Sequence, residues 1–77
     1  MTVYLRFFAS LGQLLPAEPV PYPAEVSNPA TVGDVLGCFQ VPESLARLVL
    51  LNGRHVAWSD PVSDGDKLSV FPPIGGG

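Results

Sequence analysis

A chain of 77 residues with a net charge of −3 is enough for one small domain, and a domain of that size hides only roughly 60% of the surface its unfolded chain would expose. Hydrophobic residues make up 47% and charged residues 14%, a balance that belongs to a globular chain and not to a disordered one. The four Lys and Arg residues cannot build the basic patch of a nucleic-acid binder, and the one cysteine, Cys38, leaves no internal disulfide and no multi-cysteine zinc site.

The opening Met1 to Arg6 lacks the basic start and small-residue cleavage site of a signal peptide. No stretch approaches the length needed to span a bilayer, so the expectation is a soluble cytoplasmic protein. Thr2 to Ala9 alternates, with Val3, Leu5 and Phe7 on one face and Tyr4, Arg6 and Phe8 on the other, which predicts a strand. Leu11 to Pro16 reads as a turn, with Gly12 and Pro16 as breakers. Ala17 to Asn28 is rich in proline, yet Val20, Tyr22, Ala24 and Val26 still alternate, so it reads as an irregular edge strand, where missing N–H donors are tolerated.

Thr31 has the chemistry of a helix N-cap and Asp34 falls in the first turn, facing the positive end of the dipole. Val32, Val35, Leu36 and Phe39 then fall at the i, i+3, i+4, i+7 spacing of one apolar helix face. Val41-Pro42 ends the helix, and Pro42 to Arg47 can add one further turn through Glu43 and Arg47. Leu48 to Leu51 is a buried strand by composition. Asn52-Gly53 is a hairpin signal, because a type I′ turn needs positive φ at both central positions. Arg54 to Ala57 returns as a strand, Ser59 to Asp66 is loop, and Lys67 to Phe71 is the last strand before Pro72-Pro73-Ile74-Gly75-Gly76-Gly77.

The order strand, strand, helix, strand, short strand, strand is that of the α+β β-grasp fold, although several small α+β folds share parts of it. It predicts a mixed sheet with the helix on one face and the first and last strands side by side at the sheet centre. Residues 1–71 form this domain and 72–77 a flexible tail.

Catalysis within the chain lacks its parts, because a nucleophile needs a base and an orienting group. His55 and Cys38 are not brought together by the predicted elements, and read as a surface histidine and a half-buried helical cysteine. Asp60, Asp64 and Asp66 lack the glutamate and spacing of a calcium loop, and read as turn formers. The tail is different. A glycine run is rarely packed structure, and Pro72 to Gly77 stretched out spans roughly 20 Å. A slim tail of this kind can thread into another protein's active site, although a glycine-rich end also suits a linker remnant. Phe71 falls on the polar face of the last strand and Phe8 on the matching face of the first. If the two strands are neighbours, these rings form an exposed aromatic patch beside the root of the tail, of the kind that partner-binding surfaces use. A packing role under the proline-rich segment is the alternative.

The segments Val3 to Leu11, Ala30 to Leu36, Asn52-Gly53 and, most specifically, Asp64 to Gly77 resemble the MoaD/ThiS family of ubiquitin-like sulfur carriers over the whole chain. Within that family the chain is most similar to the small subunit of molybdopterin synthase. The resemblance implies that an E1-like enzyme uses ATP to adenylate the Gly77 carboxylate and that a sulfur donor displaces AMP, leaving a thiocarboxylate. Its sulfur would pass to a precursor pterin inside the large subunit of molybdopterin synthase. The chain itself would be a carrier subunit without its own active site or bound cofactor. Gly77 would carry the sulfur, and Gly75 and Gly76 would give clearance. Phe8, His55 and Phe71 would make the sheet-face contacts, next to Pro72, Pro73 and Ile74. The chain departs from the family at Gly12, where arginine is usual, at Gly75, at His55, where an apolar residue is usual, and in its proline-rich second strand. Carriers for thiamine, tRNA thiolation or cysteine synthesis, and carriers that double as protein modifiers, share the same tail. A non-covalent β-grasp adaptor would do without it.

Overall fold

The computed structural model describes residues 1–14 and 21–73. The predicted proline-rich stretch from Ala17 to Val20 and the tail residues Ile74 to Gly77 lie outside the described residues. Strand β1 (Thr2–Phe7) follows its alternation, with Val3, Leu5 and Phe7 buried. The predicted turn after it is, in its described part, a 3-10 segment (Ala9–Leu14) that buries Leu11 against the sheet. Strand β2 (Tyr22–Glu25) lies antiparallel to β1 at the sheet edge and sets Pro23 opposite Tyr4. An edge is where proline's missing donor is harmless.

Ala30–Thr31 forms the short strand β3 and leads directly into helix α1 (Val32–Cys38). The first four N–H groups of a helix have no intrahelical partner, and here each has one from elsewhere. Thr31 N–H donates to Asp34 Oδ2 at 2.9 Å, and Asp34 N–H donates to Thr31 Oγ1 at 3.1 Å, a capping box. Val32 and Gly33 N–H donate to the carbonyls of Asp60 and Trp58 at 2.9 and 2.8 Å. The segment 58–60 therefore lies as a strap across the start of the helix. Gly33 makes room for it, since a Cβ there would sit 3.2 Å from both the Trp58 ring and its carbonyl oxygen.

The helix stops at Cys38, one turn short of Val41-Pro42. Gln40 adopts a left-handed φ of 59°. Its N–H donates to the Gly37 carbonyl and that of Val41 to the Leu36 carbonyl, both at 3.1 Å, the two bonds of a Schellman ending. Phe39 becomes the C-cap and packs edge-on against Phe7 and Tyr22. Cys38, expected to be half-buried, is exposed because it closes the helix on its outer side.

Strand β4 (Leu48–Leu51) follows a short 3-10 turn (Glu43–Leu45). Asn52 and Gly53 have φ of 54° and 82°, as a type I′ turn requires, and strand β5 (Arg54–His55) is shorter than the predicted Arg54 to Ala57. Within the predicted loop, Pro61–Val62 forms strand β6, paired antiparallel with β3. A two-residue bridge has no periodicity by which the sequence could reveal it. Strand β7 (Lys67–Phe71) then enters the sheet centre.

The main sheet has the order β2-β1-β7-β4-β5, with β1 and β7 parallel and the other pairs antiparallel. Helix α1 packs through Val32, Val35 and Leu36 on the face formed by Val3, Leu5, Phe7, Val49, Leu68 and Val70. This is the β-grasp architecture of the α+β class. Among the described residues, no helix is long and apolar enough to cross a membrane.

Candidate functional site

The register fixes what the open face of the sheet carries. Arg6 lies opposite Ser69 and Tyr4 opposite Lys67 across the β1–β7 pair. Leu48 lies opposite Phe71 and Leu50 opposite Ser69 across β4–β7, and His55 lies opposite Leu50. Residues directly opposite share a face, so all of these turn away from α1. Beyond β1, Phe8 stays in the same row, held by its N–H donating to the Val70 carbonyl at 3.0 Å.

Phe8 and Phe71 form a stacked pair, with ring centroids 4.2 Å apart and planes 5° from parallel. The Arg6 guanidinium lies 5.7 Å from the Phe8 centroid, within reach for a cation–π contact. Both rings are half-buried although they lie on the open side of the sheet. Pro72, half-buried, and Pro73, exposed, leave the sheet directly from this stack. The aromatic patch expected from alternation is therefore present, at the point where the tail departs.

His55 is exposed and shares the open face, but it is two strands from Phe71, with β4 between them. At about 4.8 Å per strand it is a rim residue and makes no part of the stack. Leu48 and Leu50 fill the interval and were missed as surface residues. A run of four apolar residues reads as wholly buried, but of the four only Val49 is buried. Pairing Leu51 with Arg54 across Asn52-Gly53 would have shown that Leu48 and Leu50 share the face of His55. Gly75, Gly76, Gly77 and Ile74 lie outside the described residues.

The aspartates of the 57–66 region hold backbone. Asp60 Oδ2 accepts from Ala57 N–H at 2.8 Å, Asp64 Oδ1 from Thr2 N–H at 2.7 Å, and Asp66 Oδ2 from Ser63 N–H at 2.7 Å. The Asp60 and Asp66 contacts, each three residues back, are the turn-forming ones their spacing suggested, whereas Asp64 ties the loop to the start of β1, 62 residues away. The Asn52 side chain does more than shape its hairpin. Its Nδ2 donates to Asp66 Oδ1 and its Oδ1 accepts from Lys67 N–H, both at 2.9 Å, which fixes the start of β7 and so the register that brings Phe71 beside Phe8. Arg47 N–H donates to the Phe71 carbonyl at 3.0 Å and fixes the other end.

Among the described residues, the sheet face carries an aromatic stack where the chain leaves β7 and places no nucleophile and base together. Residues 5–77 match the model of the ThiS family. The chain is 37% identical over 94 aligned positions to small archaeal modifier protein 3 of Haloferax volcanii, with all of both chains covered. Its structure is similar to that of SAMP1 from Haloferax volcanii, with a TM-score of 0.73, 26% identity and 100% of each chain covered. It is also similar to a Pyrococcus furiosus protein assigned as molybdopterin converting factor subunit 1, with a TM-score of 0.74, 25% identity, and 95% of this chain and 98% of that one covered.

Proposed function

The chain belongs to the ThiS family, and from that premise we propose that it is a cytoplasmic sulfur carrier whose reacting group is the Gly77 carboxylate. A carboxylate is ionised at neutral pH, with a reference pKa of about 3.3–3.7, and resists attack by a nucleophile. Adenylation by an E1-like enzyme joins it to the AMP portion of ATP and releases pyrophosphate. Sulfur from a donor then attacks the carbonyl carbon and AMP departs, leaving a thiocarboxylate that is a strong nucleophile. ATP is a substrate of the activating enzyme, and the carrier needs no bound cofactor of its own.

The observation that carries this reading is the Phe8–Phe71 stack at the point where the chain leaves β7. An aromatic patch there lets a partner grip the domain and receive the tail in one register. The most fitting acceptor is a molybdopterin synthase large subunit, because the Phe-Phe-Ala opening and the Pro72-Pro73 base of the tail resemble the small subunit of that enzyme. A second reading has a specific observation behind it, the 37% identity to a small archaeal modifier protein. In that case a lysine amine of a target protein would attack the adenylated Gly77 carbonyl, forming an amide as the acyl–phosphate bond breaks and AMP departs.

Intact-protein mass spectrometry after incubation with ATP, a cognate activating enzyme and a sulfur donor tests the shared chemistry. Exchange of one oxygen for sulfur on the C-terminal peptide is expected, and deletion of Gly77 should abolish it. Sulfur transfer to a pterin precursor would then favour the first reading, and Gly77-linked conjugates on lysines the second. An unchanged mass with an enzyme shown to be active would move the adaptor role to the front.

A further inference from the structure

The two edges of the main sheet, β2 and β5, differ in what their backbone offers. The Met1 ammonium donates to the Val26 carbonyl and Val26 N–H to the Met1 carbonyl, each at 2.9 Å. Bonded and non-bonded pairs alternate along an antiparallel ladder. With Thr2 opposite Glu25, Val3 opposite Ala24 and Tyr4 opposite Pro23, the backbone groups of Glu25 and Pro23 turn away from β1, along the outer line of the edge. Pro23 has no N–H to present there, and Pro21, two residues earlier, has none either. A shift of one residue, to Tyr22 or Ala24, would instead remove ladder bonds to β1. The donor left on this line belongs to Glu25, whose exposed carboxylate accepts from the Thr2 hydroxyl. At the other edge, Val56 N–H donates to the Val49 carbonyl at 3.3 Å, so the backbone of His55 faces outward. The next residue in that phase, Ala57, is already engaged: its N–H donates to Asp60 Oδ2 at 2.8 Å and its carbonyl accepts from Asp60 N–H at 3.0 Å. Among the described residues, neither edge offers two successive outward-facing residues with free donors.

We propose that Pro21 and Pro23 close the β2 edge against a second copy of this chain, and so keep the domain from pairing with itself strand to strand. An edge with a row of unpaired donors and acceptors is a template for another strand. Removing the donors is enough to disable it, because an antiparallel ladder draws N–H groups from both strands. Symmetric pairing of two β2 strands would also bring the Glu25 carboxylates of both copies onto one short ladder, where like charges repel. The irregular, proline-rich second strand is then a working part of the molecule. The proposal goes beyond the carrier reading, since it does not depend on the chemistry at Gly77.

The test restores the donors. Pro21→Thr/Pro23→Thr returns an N–H and a β-branched side chain at both positions and leaves Ala24, the buried residue of the strand, unchanged. Sedimentation velocity over a dilution series should show the unmodified chain as a monomer throughout. The double variant should self-associate about tenfold more tightly or better, the scale of a few added hydrogen bonds. Amide exchange at high concentration should slow at position 23 and at Glu25 in the variant. Circular dichroism checks that each protein is folded, and Pro23→Thr alone, a single exposed change, supplies the same readout if the double variant is not. A folded variant that stays monomeric, or that associates without slowed exchange at Glu25, would overturn the proposal. So would a β2-paired dimer of the unmodified chain. Sulfur transfer at Gly77 is read separately by the mass shift, so the carrier reading stands or falls on its own.

Discussion

Replacing Phe8 and Phe71 by leucine, singly and together, separates what the aromatic stack does for the fold from what it does for docking. Leucine keeps an apolar side chain at each position and removes the face-to-face contact. With centroids 4.2 Å apart and planes 5° from parallel, the pair should contribute a coupling of about 0.5–1.5 kcal/mol beyond buried area. The Arg6 guanidinium over Phe8 adds about 0.5 kcal/mol that only Phe8→Leu removes. Each single variant should therefore lose about 1–2 kcal/mol, which for a domain of this size lowers Tm by about 4–8 °C per kcal/mol. The double variant should lose less than the sum, by the coupling energy. Two-state denaturant titrations of the four proteins supply the cycle. Neither ring belongs to the buried core, so the variants remain folded at 25 °C and their affinity for an activating enzyme can be read directly. A ring at the centre of the interface should then cost about 2 kcal/mol on truncation. Strictly additive stabilities would show that the rings do not act as a pair. Unchanged affinity of Phe71→Leu would refute the docking platform.

Further expectations concern the frame that holds the platform. Asn52→Ala should lose about 2–3 kcal/mol, from two hydrogen bonds at about 1 kcal/mol each and the positive φ that alanine resists. Asn52→Gly keeps the φ and should recover about 1 kcal/mol of that by denaturant titration. Gln40→Gly should be stabilising by about 0.5–1 kcal/mol, because glycine takes the left-handed φ of the helix ending without strain; a lower Tm would show that the glutamine side chain contributes there. Gly33→Val should lower stability by about 2 kcal/mol by pushing the Trp58 strap off the helix start, with accelerated amide exchange at Val32 and Gly33 as the local readout. Thr31→Ala, which removes the cap of the Asp34 N–H, should lose about 1 kcal/mol in the same titration.

The parts that were legible in the sequence are those with a short physical period or a conformational demand. Alternation in Thr2 to Phe7 and Lys67 to Phe71 set both faces of the central strands, and from them the Phe8–Phe71 patch. Thr31, Asp34 and the apolar spacing marked the helix, and Asn52-Gly53 marked its turn. What escaped depends on contacts between distant segments. The β3–β6 bridge and the Trp58 strap exist only once the helix is docked. The Asn52 side chain meets Asp66 and Lys67 across 14 and 15 residues of chain. Gln40 gave no sign of its left-handed φ, since glycine is the usual residue there. Leu48 and Leu50 were hidden in a uniformly apolar run, where only strand pairing distinguishes the two faces.

The parallel pairing of β1 with β7 has a mechanical consequence. A partner that draws the tail into its own active site pulls on β7 along its length, away from the start of β1. In that geometry the hydrogen bonds of the β1–β7 ladder, and those of β4–β7 on the other flank, share the load in shear. None can be peeled first, as would happen if the tail left from an edge strand and were pulled sideways. Pulling between Met1 and Pro73 in a force spectrometer should give one abrupt high-force rupture; gradual low-force yielding would show that the load is not shared. A domain built in this way can be towed by its tail and still arrive folded.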